Sequence, residues 1–593
     1  MSSKIKKSAD IFVFFAKTNV KNTERNEAKT MKIKRILSFV LAALILFGFS
    51  GCMNRGENED PNSTPEISEE DELVLYHNST ELAPMLMAIT EEYSAKTGKK
   101  VSAKLAGNDF MGEMQSNSAA IYIVDTHSDL SEWHSGGLFT DFLNNTGLSS
   151  VVTGIPSGLQ LNPAGIGSYG IPLMLEGYGY IFDKEMLSAI FGEENSEKIS
   201  NDLRTCSFTE FEGFVAAVDT WISAPSAAEI TIGGNKYTFA KEKTGKAVNL
   251  TGVFSLNNES TRALEHLLSY GLAAKFASRY EVMTATGEAV SGMEDVLSAY
   301  VEVLDLHTSH IAGAEGSIGR GEEFTGGDYN YSTAVDLFAR GNALFYPGGT
   351  SDAADFEKAA EGFGKNLDII PMKLPLSEDE VTAAGMSAEK LQSSIVIGSR
   401  YYIAVNPKAD ETSAKAANEL IDWIFKSEEG KTAYSSAFGG VPFNFEYLMS
   451  DNNSEAEPSS EGEKTESGTV SPENAAPSGT GETNQPETET ENPVTSSEEN
   501  TSEENPDLVG PMNPSHNITN SLMAAVAEYY SEGNWIPDMA FALPADFAKK
   551  ILGENLKDYW GMETWAEADR KNFIDTIIGG WKERLDEENS AVG

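Results

Sequence analysis

The chain has 593 residues, 40% of them hydrophobic, enough for two or three domains with substantial cores. Lys and Arg number 44 against 91 Asp and Glu, a formal net charge of −47 that repels phosphate backbones and anionic headgroups and argues against nucleic-acid or peripheral membrane binding. Two cysteines leave no disulfide framework.

The first patterned stretch is "MKIKRILSFVLAALILFGFSGC", starting at Met31. Lys32, Lys34 and Arg35 precede an apolar run from Ile36 to Phe47, and Phe49, Ser50 and Gly51 lead into Cys52. This is a secretory signal by pattern, too short for an ordinary spanning helix. One reading makes it a short membrane anchor that happens to end in a cysteine. The other is that it resembles a bacterial lipoprotein signal, whose box ends in a small residue, Gly and Cys; Phe49 stands where that box usually has Leu. This resemblance implies that Cys52 becomes the first mature residue and carries lipid on its sulfur. Residues 1–51 are thus an upstream extension and signal peptide, with Met31 the expected start.

Residues 52–72 are polar and aperiodic and read as a flexible tether. Residues 451–510 contain no aromatic residue and 16 acids against one lysine. Such a composition cannot bury enough apolar surface to offset ordering entropy, so this segment is expected to be a disordered acidic insertion. The folded domain is expected over 73–450 and 511–593.

That domain opens with "ELVLYHNS", a strand by its apolar content, and then a helix. Leu82, Met85, Leu86, Ile89 and Tyr93 share one helical face, with Thr80 as N-cap, Pro84 in the first turn and Gly98 as the stop. "KKVSAKLAG" and, after another short helix, "AAIYIVDTHSD" read as strands. This alternation implies α/β architecture with parallel pairing. Ligands of such sheets bind beyond the carboxyl ends of the strands, which directs attention to His77-Asn78-Ser79, Gly107-Asn108-Asp109 and residues 125–129.

Most local signals for chemistry fail. "GIGSYG", residues 165–170, matches a dinucleotide fingerprint, but "IPLMLEGYGYIF" follows it, with a Pro and no helical period. His307 and His310 lie one turn apart near Glu315, a spacing that admits a metal; the preferred reading is the solvated end of the helix "MEDVLSAYVEVLDL". Cys206 reads as a buried thiol without a role, and Trp133 and Trp423 as core residues of amphipathic helices. Carboxylates are abundant, so a glycosidase pair stays open as a reading. No cofactor is expected.

Five segments in order carry a broader resemblance. They are "VDTHSDLSEWHSGGLFTDF", "SYGIPLMLEGYGYIFDKEML", "SFTEFEGFVAAV", "AVDLFARGNALFYPGG" and "YYIAVNPKADETSAKAANELIDWIFKSEEGKTAYSSAFGGVPF". Together they resemble the carbohydrate type of ABC-transporter extracellular solute-binding proteins. The resemblance implies a two-lobed clamp, each lobe a doubly wound, mostly parallel sheet joined by hinge crossovers. It implies a binding protein rather than an enzyme, acting as a monomer on the outer face of the cell membrane. There it would deliver a mono- or oligosaccharide to ABC permease subunits, tethered by lipid on Cys52. Among site residues it implies Glu176 in the first crossover, where the alternative is a hinge-stabilising ion pair, and Thr126, His127 and Ser128 in a solute-contacting loop; Tyr178 either stacks on a sugar face or simply packs, and Gly348 and Gly349 allow close backbone approach. To these the cleft reading adds His77, Asn78, Tyr401 or its neighbour Tyr402 by strand alternation, and Trp535. The glycines flanking Tyr178 are read as freedom for the crossover to bend. Many sugar-specific members carry a tryptophan just after the glycine turn, where this chain reads "TSDAAD". Rival readings are a secreted glycoside hydrolase or glycan-binding surface protein, and a metal-binding protein built on His307 and His310.

Overall fold

The computed structural model describes residues 72–107, 109–117, 119–125, 130–144, 147–258, 262–360, 366–438, 517–543 and 547–592. Cys52, the signal, nearly all of the tether, the acidic segment 451–510 and Thr126, His127 and Ser128 lie outside the described residues.

The first sheet has the order β2-β1-β3-β14-β4: β1 is Leu73–His77, β2 Val101–Leu105, β3 Ile121–Asp125, β4 Ile171–Pro172 and β14 Tyr401–Val405. β1 pairs in parallel with β2 and β3, as the alternation of strands and helices predicts. Between β1 and β2 runs α1, Ala83–Thr97. It buries Leu86, Ile89 and Tyr93, each worth about 1.5–3 kcal/mol on leaving water. It ends at Gly98, which takes the left-handed conformation (φ 72°) that a side chain resists. Its start differs from the expected Thr80 cap: the hydroxyl of Ser79 accepts from the Leu82 N–H, and Thr80 is exposed.

The second sheet has the order β10-β9-β8-β11-β5-β13-β15, with β12 also on β5. Here β5 is Glu176–Asp183, β8 Gly252–Phe254, β9 Ile311–Ala312, β10 Ser317–Ile318, β11 Ala343–Gly349, β12 Leu367–Ile370, β13 Ile395–Gly398 and β15 Trp535–Pro537; β6 (Glu229–Ile232) and β7 (Asn235–Thr238) form a separate hairpin. All eight residues of β5 are buried, and β11, β12 and β13 all pair with it antiparallel. Both sheets are therefore mixed. The expectation of mostly parallel sheets fails because the connecting strands enter each sheet against the direction of their neighbours.

Those connections form one structure. β4 pairs with β14 through Pro172–Tyr402 and Ile171–Ile403. β5 pairs with β13 through Glu176–Gly398, Gly177–Ile397 and Tyr178–Val396. These pairs share a single register, and the Leu173 N–H donates to the Tyr401 carbonyl (2.7 Å) in the gap. The two lobes are thus joined by a continuous antiparallel ribbon. The expected bend at Gly177 and Gly179 is absent: both lie in paired strand. They are glycine for want of room. A Cβ on Gly177 would come within 2.3 Å of the Val526 side chain, and one on Gly179 within 2.3 Å of the Ile370 carbonyl.

The second lobe's core is aromatic, with Tyr180, Phe211, Phe254 and Phe345 in mutual contact. His307 belongs to this core. It is 1% exposed and its Nε2 is 2.7 Å from the Tyr180 hydroxyl, so the reading of a solvated helix end is overturned for it. Burial pushes its pKa down to about 3. His310 is partly buried beside Asp219 (3.4 Å), and no metal-ligating cluster occurs among the described residues. Cys206 is buried, its thiol pushed up to about 11 by desolvation. Trp133 packs with Phe110, Tyr122 and Phe139 on one face of the first sheet, and Trp423 meets Tyr93 edge-on at the other. No helix among the described residues is long and apolar enough to cross a membrane.

The described chain leaves the first lobe through the helix Glu428–Phe438, which packs on α1. It resumes in the second lobe with the helix Asn517–Glu532, which packs on β12, β13 and β5. The C-terminal helices are fastened there by a buried carboxylate. Asp305 accepts from Arg320 (2.6 Å), Arg570 (2.8 Å) and the Tyr559 hydroxyl (2.9 Å), while the Arg320 guanidinium stacks on Trp565.

Candidate solute site at the hinge

Glu176 and Tyr178 project from the same face of β5, two residues apart, at the second-lobe end of the ribbon. The Tyr178 hydroxyl donates to a Glu176 carboxylate oxygen, and both residues are buried. Gly349 lies across from Tyr178 in β11, and a Cβ there would sit 2.5 Å from the tyrosine ring. A Cβ on Gly348 would collide in the same way with the Tyr346 ring (2.3 Å). The glycine turn thus makes room for the protein's own aromatic rings.

The other face of this group comes from a helix on which the sequence reading placed no site residue and from Asp538, three residues past Trp535. The helix Arg262–Lys275 brings His266 onto Tyr178, with ring centroids 3.4 Å apart and planes within 17° of parallel. His266 Nδ1 is 3.2 Å from an Asp538 carboxylate oxygen, and Ser269, one turn further along, donates to the other oxygen (2.7 Å). Asp538 follows β15 directly, and a Cβ on Gly398, the strand partner of Glu176, would touch the Asp538 side chain. Glu176, Tyr178, His266 and Asp538 therefore form a chain of contacts over the ribbon, a hydrogen bond, a ring stack and an ion pair in turn, which is the polar circuit of the hinge. Burial alone raises the Asp538 carboxyl, but His266, Ser269 and Arg279 outweigh it and hold the group well below the usual carboxylate range.

Arg279 extends the circuit into the first lobe. Its Nε donates to the Asp538 carbonyl (2.9 Å) and its Nη1 to the Tyr402 hydroxyl (3.0 Å). The guanidinium lies 4.8 Å from the centroid of Phe541, whose ring stacks on Tyr402. His266 and Arg279 are 5% and 7% exposed, yet His266 Nε2 and Arg279 Nη2 have no hydrogen-bond partner among the described residues. A buried guanidinium donor in that state calls for a water or a ligand oxygen, and a buried ring nitrogen for a polar partner of its own.

The remaining sequence candidates lie elsewhere. His77 ends β1, buried, with Nδ1 on the Ser79 carbonyl (2.9 Å); desolvation lowers its pKa, partly offset by that bond. Asn78 is exposed beside it. The Tyr401 hydroxyl bonds Ser79 Oγ (3.2 Å) within the first lobe, and burial pushes its pKa up to about 12. Alternation sends Tyr402 to the opposite face of that sheet, toward Arg279. Trp535 lies one residue out of step with Ile536, the partner of Val396, and so points away from Tyr178 on the far face of the second sheet, its ring tilted against Tyr530. The structure thus brings Glu176, Tyr178, Gly348 and Gly349 to one place, and His77, Asn78 and Tyr401 to the rim of the first lobe. Sequence reasoning missed His266, Ser269, Arg279, Asp538 and Phe541. Asp538 stood three residues past the tryptophan that drew attention, and His266 was a lone polar ring on an otherwise apolar helix face.

Several solved structures show likeness to this chain. The apo form of RafE from Streptococcus pneumoniae is 12% identical, with 86% of this chain and 97% of that one covered and a TM-score of 0.49. The bacterial solute receptor AcbH, described as having an exclusive preference for β-D-galactopyranose, is 11% identical over 87% and 99%, with a TM-score of 0.49. A family 1 extracellular solute-binding protein from Bifidobacterium longum subsp. infantis is 13% identical over 63% and 81%, with a TM-score of 0.39. No curated protein matches the sequence. A sequence profile described as bacterial extracellular solute-binding protein matches residues 88–458, more than half of the chain and most of both lobes. With two lobes, a hinge ribbon between them and buried polar groups at their junction, the chain belongs to the bacterial extracellular solute-binding protein family.

Proposed function

We propose that the protein captures a neutral, hydroxyl-rich solute, a carbohydrate, between its lobes and delivers it to an ABC importer, held to the outer face of the membrane by lipid on Cys52. The observation that carries this reading is the polar circuit at the hinge. It pairs carboxylates, at Glu176 and Asp538, with a buried donor left open on Arg279 Nη2 and an unpartnered ring nitrogen on His266. Sugar hydroxyls donate and accept at once, so they match a site that offers both. Two carboxylates disfavour an anionic solute.

The circuit also supports binding over glycoside hydrolysis. A glycosidase needs one carboxylic acid held protonated near neutral pH. Asp538 is held in the opposite state by His266, Ser269 and Arg279.

The test is a thermal-shift screen of mono- and oligosaccharides, amino acids and short peptides, followed by calorimetry on the strongest hit. Glu176→Gln keeps the shape and removes the charge. Its affinity for a saccharide hit is expected to fall roughly tenfold to a hundredfold, the equivalent of about 1.5–3 kcal/mol for a charged hydrogen bond. A peptide hit with no saccharide hit would remove the carbohydrate class and leave the clamp. Unchanged affinity in Glu176→Gln would remove the site.

A further inference from the structure

Arg279 is bound by groups from two other parts of the chain. Its Nε is held by the Asp538 carbonyl, in the segment that follows the acidic insertion. Its Nη1 donates to the hydroxyl of Tyr402, which lies in the first sheet. The Phe541 ring fills the corner between them, under the guanidinium and parallel to Tyr402 within 15°. Arg279 is 7% exposed and Tyr402 fully buried, so their bond is shielded from competing water. Beside it, Tyr280 packs against the first-lobe turn at Gly165, and Pro537 against Gly158. The bond thus sits inside an interlobe seam, at its only charged hydrogen bond among those described above.

We propose that Arg279 is a positioning residue, a latch that sets the angle between the lobes through Tyr402. The geometry favours this over simple core packing. A guanidinium used only for packing has no need of a hydroxyl from the other lobe, whereas one fixed at Nε by its own lobe presents Nη1 in a rigid direction. That direction selects one interlobe angle, because the donor–acceptor line weakens steeply when bent. The inference rests on the two-lobed clamp reading but not on the identity of the solute.

The experiment reads the interlobe distance without any solute. Met87 on α1 and Val248 in the second lobe are exposed (50% and 59%), so Met87→Cys and Val248→Cys accept spin labels; Cys52→Ser leaves Cys206, 2% exposed, as the one native thiol. Pulsed dipolar spectroscopy on this full chain is expected to give one dominant distance. Tyr402→Phe keeps the ring stack on Phe541 and deletes only the acceptor. It should lower the ratio of that distance to all others by about tenfold or more, as expected for a hydrogen bond to a charged group, with a corresponding fall in the thermal midpoint. Arg279→Lys, which keeps the charge but loses the fork, should do the same, and the double variant should add nothing further. A distribution in Tyr402→Phe that superimposes on the parent would overturn the latch. So would a lowered midpoint with unchanged distances, which is the signature of packing alone. Because no solute enters, failure of the carbohydrate reading leaves this result intact.

Discussion

The imidazole of His266 lies flat on the phenol ring of Tyr178, 3.4 Å between centroids, while the hydroxyl of that same ring is held by Glu176. One tyrosine is therefore gripped at its face by the second lobe's helix and at its tip by its own strand. The ring is a support for the site and not an open platform for a sugar. Tyr178→Phe retains the stack and deletes the hydroxyl. We expect it to cost about 1–3 kcal/mol in urea unfolding, since it strips a partner from a buried carboxylate. An unchanged unfolding midpoint would show that the hydroxyl carries no energetic weight. A double-mutant cycle with Glu176→Gln should show coupling, because the two residues touch.

A second prediction concerns acid. His307 is neutral in the folded state, with its pKa lowered to about 3, against about 6.5 in the unfolded chain. Between those values the unfolded chain binds a proton that the folded one refuses, so stability rises with pH. It should therefore be lost as pH falls from about 6.5 toward 3, by at most about 1.4 kcal/mol per unit from this group. Thermal midpoints of wild type and His307→Gln, measured from pH 7 to 4.5, should converge as the solution becomes more acidic. Parallel curves would mean that His307 is not the sensor.

The anchor is tested separately. Expressed in a bacterium, the chain is expected to incorporate labelled fatty acid, and Cys52→Ser to abolish the incorporation. Label persisting in the variant would refute lipidation at that residue.

Composition alone supports a fourth expectation. Deleting residues 451–510 should leave the thermal midpoint and any saccharide affinity nearly unchanged, because each doubling of a flexible loop costs only about 0.6 kcal/mol. Limited proteolysis should cut there first. A loss of several kcal/mol on deletion would show that the segment packs on the lobes.

What could be read from the sequence was local. The buried face of α1 and its stop at Gly98 follow from spacing and one glycine. The crossover through Glu176 was legible only through the resemblance of "SYGIPLMLEGYGYIFDKEML" to the interlobe crossover of solute-binding proteins. What failed was decided at a distance. Gly177 and Gly179 answer to Val526 and Ile370, and His307 to Tyr180, none of them near in sequence. The His266–Asp538 pair is assembled from opposite sides of the acidic segment, so no window of sequence contains it. Polar pairing across a fold leaves no periodic trace, whereas apolar burial does.

The ribbon through the hinge has a mechanical consequence. Two strands zipped in one register behave like a leaf spring: they flex out of plane and twist, but they cannot slide. A slip of one residue would turn Glu176 and Tyr178 to the opposite face and bring Gly177 into their place. Sliding is therefore forbidden to the lobes along this line, and what remains is flexing and twisting about the ribbon. A clamp restricted in this way is confined to a narrow family of closed shapes, all of them keeping Glu176 and Tyr178 on the same face.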